Sequence, residues 1–280
     1  MNGSLEMLFK DGKRKALTLS YDDGTIHDRK LVQMMNRYGI RGTFNLNSGL
    51  FSQKEQKVIN GIETDRSKID AEEVKDLYRG HEVASHTVNH PSLTAIPSNM
   101  GAAEVIKDRK NLEELTGELV RGFAYPYGTY NDTVEEVLSA CGIEYARTVV
   151  STDSFELPQD FLEWHPTCHH DSPKLMELAE QFCDSRDGSA KLFYLWGHSY
   201  EFDQNDNWQV LEDFFQYISN DTESIWMASN IEILEYVKAF RALKRSTDGR
   251  ILYNPTGTDI WFEFERQVYC IHGNEKMSFS

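Results

Sequence analysis

Short β-prone apolar runs alternate along the chain with longer segments in which apolar residues recur at helical spacing. The predicted strands are Ala16–Tyr21, Gly42–Leu46, Glu82–Ser85, Leu119–Ala124, Glu144–Val149, Leu192–Trp196 and Ser224–Met227. The predicted helices are Ile26–Tyr38, Asp70–Tyr78, Met100–Thr116, Asp132–Ala140, Pro173–Cys183, Trp208–Ile218 and Ile231–Leu243. About seven strand–helix units predict an α/β fold with about seven parallel strands, in a (β/α) barrel or an incomplete one.

The pattern changes after Lys244. Two aromatic-rich β-prone runs, Arg250–Tyr253 and Asp259–Phe264, are separated by a turn at Asn254–Gly257. We therefore predict a barrel over residues 1–245 and a small β-rich C-terminal extension, residues 246–280, packed on it.

Composition and charge narrow the function. The 280 residues contain 29 Lys and Arg against 45 Asp and Glu, a net charge of −16. Such a field repels nucleic acids and anionic bilayers. Apolar runs fall well short of a membrane span, and the N-terminus has no secretion signal, so we expect a cytoplasmic protein, or a secreted one if a leader has been removed. Four dispersed cysteines predict buried thiols.

Two adjacent carboxylates close the first predicted strand. Asp22 and Asp23 follow Tyr21, and Gly24 then allows a sharp turn. Adjacent carboxylates repel each other unless a cation lies against one of them or one of them holds a proton. A helix N-cap by Asp23 or Thr25 is the structural alternative.

Two histidines follow the third predicted strand. His86 and His90 are four residues apart, so both can lie on one face of a helical turn and bind one metal ion. Thr87 stands where the zinc-peptidase motif HExxH has glutamate, and a chance pair on the surface is the alternative. With Asp23, the two imidazoles would make three ligands and leave open positions, as expected of a catalytic metal.

Other strand ends carry further candidates. The fourth leads into Tyr125-Pro126-Tyr127-Gly128, whose rigid turn can direct backbone N–H groups into a cleft or simply plug the barrel with Phe123. His198 follows an apolar strand, as a structural residue or a proton-transfer group. The segment 163–171, Glu-Trp-His-Pro-Thr-Cys-His-His-Asp, is interpreted as a loop that lines the cleft, with a second metal site as the alternative.

The chain resembles the polysaccharide deacetylases of carbohydrate esterase family 4, the NodB homology domain, over about residues 16–240. Tyr21-Asp22-Asp23-Gly24 is similar to the family motif T-F-D-D-G, and residues 86–90 match the motif H-[ST]-x-x-H. The family fold, a distorted (β/α) barrel short of eight units, agrees with the predicted number of strands. The resemblance implies Asp22 as general base and His198 as general acid. It implies Asp23, His86 and His90 as metal ligands.

The chain departs from the family in its third motif. The family carries an arginine that steadies the catalytic base, whereas Ala124 or Tyr125 stands there in this chain. The tuning of Asp22 is therefore open.

Two further departures concern the last motif. Trp196, with Leu195 beside it, stands where the family lines its acetyl pocket, so a reshaped acyl pocket is expected. The Asp-x-x-Asp-Trp motif that would orient His198 is missing, and we expect Glu163 or Asp171 to take this part.

These observations predict a metal-dependent hydrolase that removes an acyl group, first of all N- or O-acetyl, from a carbohydrate. Zinc is the expected cofactor, with cobalt, nickel or iron compatible. Tyr127 would stabilise the oxyanion through its backbone N–H, and flat faces of Tyr125, Trp164 and Trp196 would contact an acetylated sugar. We expect no nucleic-acid partner and no membrane insertion.

Three alternatives are open. The same barrel could hydrolyse another C–N bond, in a cyclic amide or a formyl group, or bind carbohydrate without catalysis. Two histidines and a carboxylate also form the iron site of non-haem oxygenases, but those enzymes usually have a β jelly roll, which the alternating pattern contradicts.

Overall fold

Parallel strands form the centre of the structure, a computed structural model that describes residues 4–59, 61–185, 188–221 and 223–279. Its strands are β1 (Glu6–Met7), β2 (Lys15–Asp22), β3 (Thr43–Leu46), β4 (Gln56–Ile59), β5 (Ile62–Asp65), β6 (Glu82–Ser85), β7 (Gly122–Ala124), β8 (Tyr145–Arg147), β9 (Cys168–His169), β10 (Lys191–His198), β11 (Ile225–Met227), β12 (Lys244–Arg245), β13 (Ile251–Tyr253), β14 (Ile260–Phe264), β15 (Gln267–Ile271) and β16 (Lys276–Ser278). Its α-helices are α1 (Asp28–Arg37), α2 (Val74–Leu77), α3 (Ser98–Thr116), α4 (Asp132–Ala140), α5 (Leu175–Asp184), α6 (Ser199–Gln204), α7 (Trp208–Ser219) and α8 (Asn230–Arg241). Short 3₁₀ turns lie at Lys10–Gly12, Ala71–Glu73, Leu93–Ala95 and Pro126–Gly128.

The central sheet has the strand order β8-β7-β6-β3-β2-β10-β9, and β11 pairs with β2 beside β3. All of these pairings are parallel. A bridge between Arg147 and Trp164 joins β8 to the segment before β9, so backbone pairing continues round from β8 towards β10. The curled sheet with its outer helices is the distorted (β/α) barrel that the sequence predicted, and this prediction is confirmed.

Strand β2 shows how the sequence builds the barrel. Leu17, Leu19 and Tyr21 belong to the core between the sheet and the outer helices. The alternate residues lie on the other face of the strand, because successive side chains point to opposite sides. There Thr18 donates to Asn230 Oδ1, and Ser20 accepts from Asn45. The inner face of β2 is therefore polar and ends at Asp22.

The outer helices bury their apolar faces against this sheet. The core contains residues from α1, α5 and α7: Leu31, Met35, Leu178, Phe182, Leu211 and Phe215. A second core beneath α3 and α4 surrounds Phe123 of β7. All residues of β2 are buried, because the outer helices cover one face of this strand and the other face lies inside the barrel.

The C-terminal strands form two small antiparallel sheets, β1-β14-β15 and β12-β13-β16. Phe262 and Ile271 share a core with Ile233 and Val237 of α8, so these strands pack on the barrel's last helix. The N-terminal strand β1 pairs with β14. A division into two domains at residue 245 stays a prediction.

Several elements differ from the sequence prediction. The hairpin β4-β5, the two-residue strand β9 and helix α6 were not predicted, because each is short and has little apolar periodicity of its own. Helix α2 covers only Val74–Leu77, after a 3₁₀ turn, and is shorter than the predicted Asp70–Tyr78. Of the four cysteines, Cys141 and Cys168 are buried, and all four thiols are free. Within the described residues, none of the helices has the length and apolar character to cross a bilayer.

Candidate functional site

Three strand ends converge at one rim of the barrel. Asp22 ends β2, and His198, at the end of β10, lies directly opposite it in the parallel register. His86 follows β6, and its backbone N–H donates to Leu46 O at the end of β3. Because the carboxyl ends of parallel strands meet at one edge, residues far apart in sequence become neighbours there.

Asp23, His86 and His90 form a group of potential metal ligands. Each offers one ligand atom, and these atoms lie within 4.8 Å of one another. His90 Nε2 is 3.8 Å from Asp23 Oδ1, and the two imidazole centroids are 4.6 Å apart. Two imidazoles and one carboxylate are donors that zinc and similar divalent ions prefer.

The protonation states of these residues suit a metal ion. Ala124 O lies 2.7 Å from His86 Nδ1, an arrangement that leaves Nε2 as the ligand atom. Burial lowers the pKa of His86 to about 4, so the imidazole is neutral, as a metal ligand must be. Burial opposes ionisation of Asp23, but Lys68, 3.5 Å away, and nearby imidazoles outweigh it and hold the pKa of this carboxyl well below its ordinary value. The residues therefore fit a divalent metal.

Unusual backbone conformations cluster around this group. The φ angles of Asp23, Thr87, His90 and Tyr127 are 81°, 68°, 58° and 59°. Non-glycine residues rarely adopt this left-handed region, and each such residue costs on the order of 1–3 kcal/mol. At Asp23 the strand's regular alternation is interrupted directly after Asp22. The surrounding fold thus holds these residues in strained positions, which is common at functional sites.

Asp22 is held on both of its carboxylate oxygens. The fully buried Arg147 donates to Oδ2, and Asn45 Nδ2 donates to Oδ1 at 2.8 Å. Burial by itself would raise the pKa of Asp22, but the charges of Arg147, His86 and His198 outweigh it and lower the pKa below its ordinary value. Asp22 is therefore an ionised, oriented carboxylate beside the ligand group.

His198 faces Asp22 from the neighbouring strand. Its Nε2 is 4.0 Å from Asp22 Oδ2, and its Nδ1 is 3.2 Å from Glu201 Oε2. Burial by itself would lower the pKa of His198, but Glu201 outweighs it and raises the pKa to about 8. A proton-accepting carboxylate and a protonated imidazole thus stand side by side next to the candidate metal ligands.

The comparisons with known proteins agree with this geometry. The sequence model of the polysaccharide deacetylase family matches residues 9–146, which include Asp22, Asp23, His86 and His90. The similarity to this family covers residues 9–146 of the 280 residues. No sequence match to a curated protein was found.

Several solved structures share the fold of this chain. A Mycobacterium smegmatis protein provisionally assigned as a polysaccharide deacetylase is 16% identical, with a TM-score of 0.63 over 88% of this chain and 98% of its own. The family 4 carbohydrate esterase of Streptomyces lividans, solved with acetate, is 16% identical, with a TM-score of 0.50 over 77% and 93% of the two chains. A mutant of a family 4 pseudoenzyme with restored enzymatic activity is 14% identical, with a TM-score of 0.54 over 80% and 69%.

Arg147 provides the cation beside Asp22 that the third motif lacks in this chain. This residue of β8 binds Asp22, the candidate base, although the turn at Ala124 and Tyr125 carries no arginine. Sequence reasoning missed Arg147. Its signal was a single cationic residue in the short strand Tyr145–Arg147, where a charge is unexpected unless it is paired.

Glu201 is the carboxylate at His198, so the expectation of Glu163 or Asp171 is wrong. Asp171 instead contacts Nδ1 of His169. Glu163 lies near Glu135, and burial together with the charge of Glu163 raises the pKa of Glu135 above its ordinary value. Glu201 stands three residues after His198 at the start of α6. Because α6 was not predicted, this helical i, i+3 relationship was not recognised.

Two predicted sugar contacts, Tyr125 and Trp164, and one predicted residue of the acyl pocket, Leu195, are buried elsewhere and are corrected. Tyr125 is 1% exposed, and its hydroxyl donates to Leu162 O at 2.9 Å. Trp164 is also 1% exposed and packs edge-on against Tyr145 and Tyr194. Leu195 lies in the core between the sheet and the outer helices. Tyr125, Trp164 and Leu195 pack in the interior of the protein and stabilise it. Their tight packing leaves no face free to contact a ligand.

Tyr127 and Trp196 lie beside the candidate site. Tyr127 is 67% exposed, and its ring lies edge-on to His90, with centroids 4.6 Å apart. The ring of Trp196 contacts the guanidinium of Arg147, 4.3 Å from its centroid, and lies edge-on to His169. Of the predicted contacts, these two remain candidates for substrate binding.

Proposed function

We propose that this protein is a metal-dependent hydrolase that removes an N- or O-acetyl group from a carbohydrate. The observation that carries the proposal is the meeting of Asp23, His86 and His90 within 4.8 Å, directly beside Asp22 and His198. The similarity of residues 9–146 to the polysaccharide deacetylase family supports the substrate class.

Asp23, His86 and His90 would hold one divalent ion, zinc in the first place, with cobalt, nickel or iron also suited to these donors. When bound, such an ion polarises an acyl carbonyl and lowers the pKa of its water from about 15.7 to about 7. The two imidazoles are held neutral and Asp23 ionised by the surrounding residues, so the site needs little rearrangement to bind it.

Asp22 is the general base. Arg147 and Asn45 fix its two oxygens, so the carboxylate is held beside the ligand group rather than in it. It accepts the proton of the attacking water. A positioned base of this kind contributes roughly 10²–10⁴-fold to the rate.

His198 is the general acid. The Glu201 carboxylate on Nδ1 keeps the ring protonated at neutral pH, and Nε2 faces the reacting groups. It donates its proton to the departing amine or alcohol. The backbone N–H of Tyr127 stabilises the oxyanion, which is worth about 3 kcal/mol for one such donor.

The test is acetate release from acetylated mono- and oligosaccharides by metal-depleted protein reloaded with zinc. Asp22→Asn should keep its zinc and lose turnover by at least 10²-fold, because the base is removed and the ligands remain. His86→Ala should bind one equivalent of zinc less than the native protein and lose turnover. Asp132→Asn, at the exposed start of α4, is the matched carboxylate control and should keep both its zinc and its turnover. Full activity of Asp22→Asn, or an unchanged zinc content in His86→Ala, would refute these roles.

Two other functions are candidates. The first is hydrolysis of another C–N bond, in a cyclic amide or a formyl group. The second is sugar binding without catalysis, for which the similarity to a family 4 pseudoenzyme gives a reason to test. The same assay separates these two functions from deacetylation. Formate release or ring opening without acetate favours the first. Sugar binding without any released acid favours the second.

A further inference from the structure

A second group of potential ligands surrounds Glu201. Its Oε2 is 3.2 Å from His169 Nε2, 3.2 Å from His198 Nδ1 and 3.3 Å from His170 Nε2. The ligand atoms of His169, His198 and Glu201 all lie within 4.8 Å of one another. Three imidazoles thus contact one carboxylate oxygen, which is more than orienting His198 requires.

His169 is oriented as metal-binding histidines commonly are. The carboxylate of Asp171 contacts its Nδ1, while its Nε2 faces Glu201. A carboxylate on the second ring nitrogen fixes the tautomer and makes the other nitrogen a better ligand. The ring also packs edge-on against Trp196, with centroids 4.5 Å apart, so its direction is constrained from two sides.

His170 supplies an independent indication of a ligand. Its ring is 1% exposed, and its Nε2 lies 3.3 Å from Glu201 Oε2. Within the described residues neither ring nitrogen makes a hydrogen bond of regular geometry, which costs free energy for a buried polar group. Gly197 makes room for it, since a Cβ at that position would lie 2.0 Å from His170 Nδ1.

We propose that His169, His198 and Glu201 form a second site for a divalent transition metal, with His170 as an additional nearby donor. Two or three imidazoles and one carboxylate are donors that suit zinc. The side chains of His169, His198 and Glu201 are all partly exposed, so an ion can enter from solvent. The site uses none of Asp23, His86 and His90.

This site has a consequence that rests on the proposed function. His198 acts as general acid when its ring is an imidazolium that donates the proton on Nε2. An ion bound at Nδ1 would replace the proton there, and the remaining Nε2–H of the neutral ring would be a weaker acid. An ion held by Asp23, His86 and His90 would therefore support turnover, whereas an ion in the second site would suppress it. Excess zinc is expected to inhibit the enzyme by occupying His169, His198 and Glu201.

The test counts zinc bound to the full chain after equilibrium dialysis, in the native protein and in single variants. His169→Gln should bind one equivalent less than the native protein, and so should His86→Gln, whose side chain belongs to the first site. His81→Gln, at the opposite end of the barrel, is the matched control and should lose none. Differences between variants are compared because a third possible ligand group, Asp259, Cys270 and His272, lies in the C-terminal strands.

Each result decides one proposal. Unchanged zinc content in His169→Gln overturns the second site. Unchanged content in His86→Gln, with one equivalent lost in His169→Gln, overturns the first site and leaves the second intact. If His169→Gln does not fold, Glu201→Gln replaces it and should also lose one equivalent. In the activity assay, excess zinc should inhibit the native protein, and His169→Gln should need at least tenfold more zinc for the same inhibition. Equal sensitivity of the two refutes the inhibitory role.

Discussion

The guanidinium of Arg147 donates to the carboxylate of Asp22, and this buried ion pair joins the end of β8 to the end of β2. Both residues are buried, with exposed fractions of 3% for Asp22 and 0% for Arg147. A buried pair of this kind repays its desolvation only when further hydrogen bonds support both partners. Here Asn45 donates to Asp22, and the backbone carbonyl of Thr148 accepts from Arg147.

Replacing Arg147 by methionine should reduce kcat by about 10²–10³-fold, because Asp22 loses the charge and the hydrogen bond that keep it ionised and oriented. The free energy of unfolding should fall by about 3–5 kcal/mol, since a buried carboxylate is left unpaired. Acetate release and urea unfolding measure the two effects. Arg121→Met removes a partly exposed pair with Glu144 and Glu235, and should cost below about 1 kcal/mol without affecting turnover. Equal losses in both variants would contradict the role of Arg147.

Replacing Lys68 by methionine should tighten zinc binding about tenfold. The ammonium group lies 3.5 Å from Asp23 Oδ1, where its charge repels an arriving cation. Zinc affinity is measured by competition with a chelator. Lys57→Met, on the exposed hairpin strand β4, is the control and should bind zinc like the native protein. Weaker binding in Lys68→Met would mean that the lysine stabilises the ligand group more than it opposes the ion.

Replacing Trp196 by leucine should widen the acyl specificity. In the proposed function the Trp196 ring, held between Arg147 and His169, limits the space beside the reacting carbonyl. A pocket that admits one more methylene changes the relative kcat/KM by about 10–200-fold, so propionyl substrates should gain at least tenfold over acetyl ones. Trp226→Leu, on β11 against Phe9 and Tyr236, is the control and should keep the native ratio. An unchanged ratio in Trp196→Leu would place the acyl group elsewhere.

Glu82 should make stability depend on pH. This buried residue at the start of β6 accepts hydrogen bonds from Thr43, Tyr145 and the backbone of Ile231, and burial raises its pKa from 4.5 to about 7. Its folded form therefore keeps a proton that the unfolded chain has already lost. The resulting stabilisation is fully present below about pH 4.5 and is lost as the pH rises through about 7, a change of about 3 kcal/mol.

Urea unfolding across this pH range should show the decline in the native protein and a flatter profile in Glu82→Gln, which has no proton to lose. Glu118→Gln, an exposed carboxylate, should keep the native profile. Identical profiles for the native protein and Glu82→Gln would exclude Glu82 as the source.

Local pattern was sufficient for most of the barrel. Helix α4 begins and ends where predicted, and β3, β6 and β10 differ from prediction by at most a few residues. Each of these elements has an amphipathic or mainly apolar pattern, and such a pattern predicts from the sequence alone that the element is buried. The hairpin β4-β5 and helix α6 are short and depend on contacts with other parts of the chain, which a local pattern does not record.

The sequence by itself determined the barrel and named Asp22, Asp23, His86, His90 and His198, because motif residues at strand ends keep a fixed spacing along the chain. Only the tertiary structure decided what surrounds them. Arg147 lies 125 positions from Asp22, and the Glu201 carboxylate reaches His198 through a helix that has no periodic signal of its own. Tyr125 and Trp164 likewise have the composition of sugar contacts, but the packing of neighbouring strands buries them. Charge compensation and burial depend on distance in space, and that distance is set only when the strands have closed into the barrel.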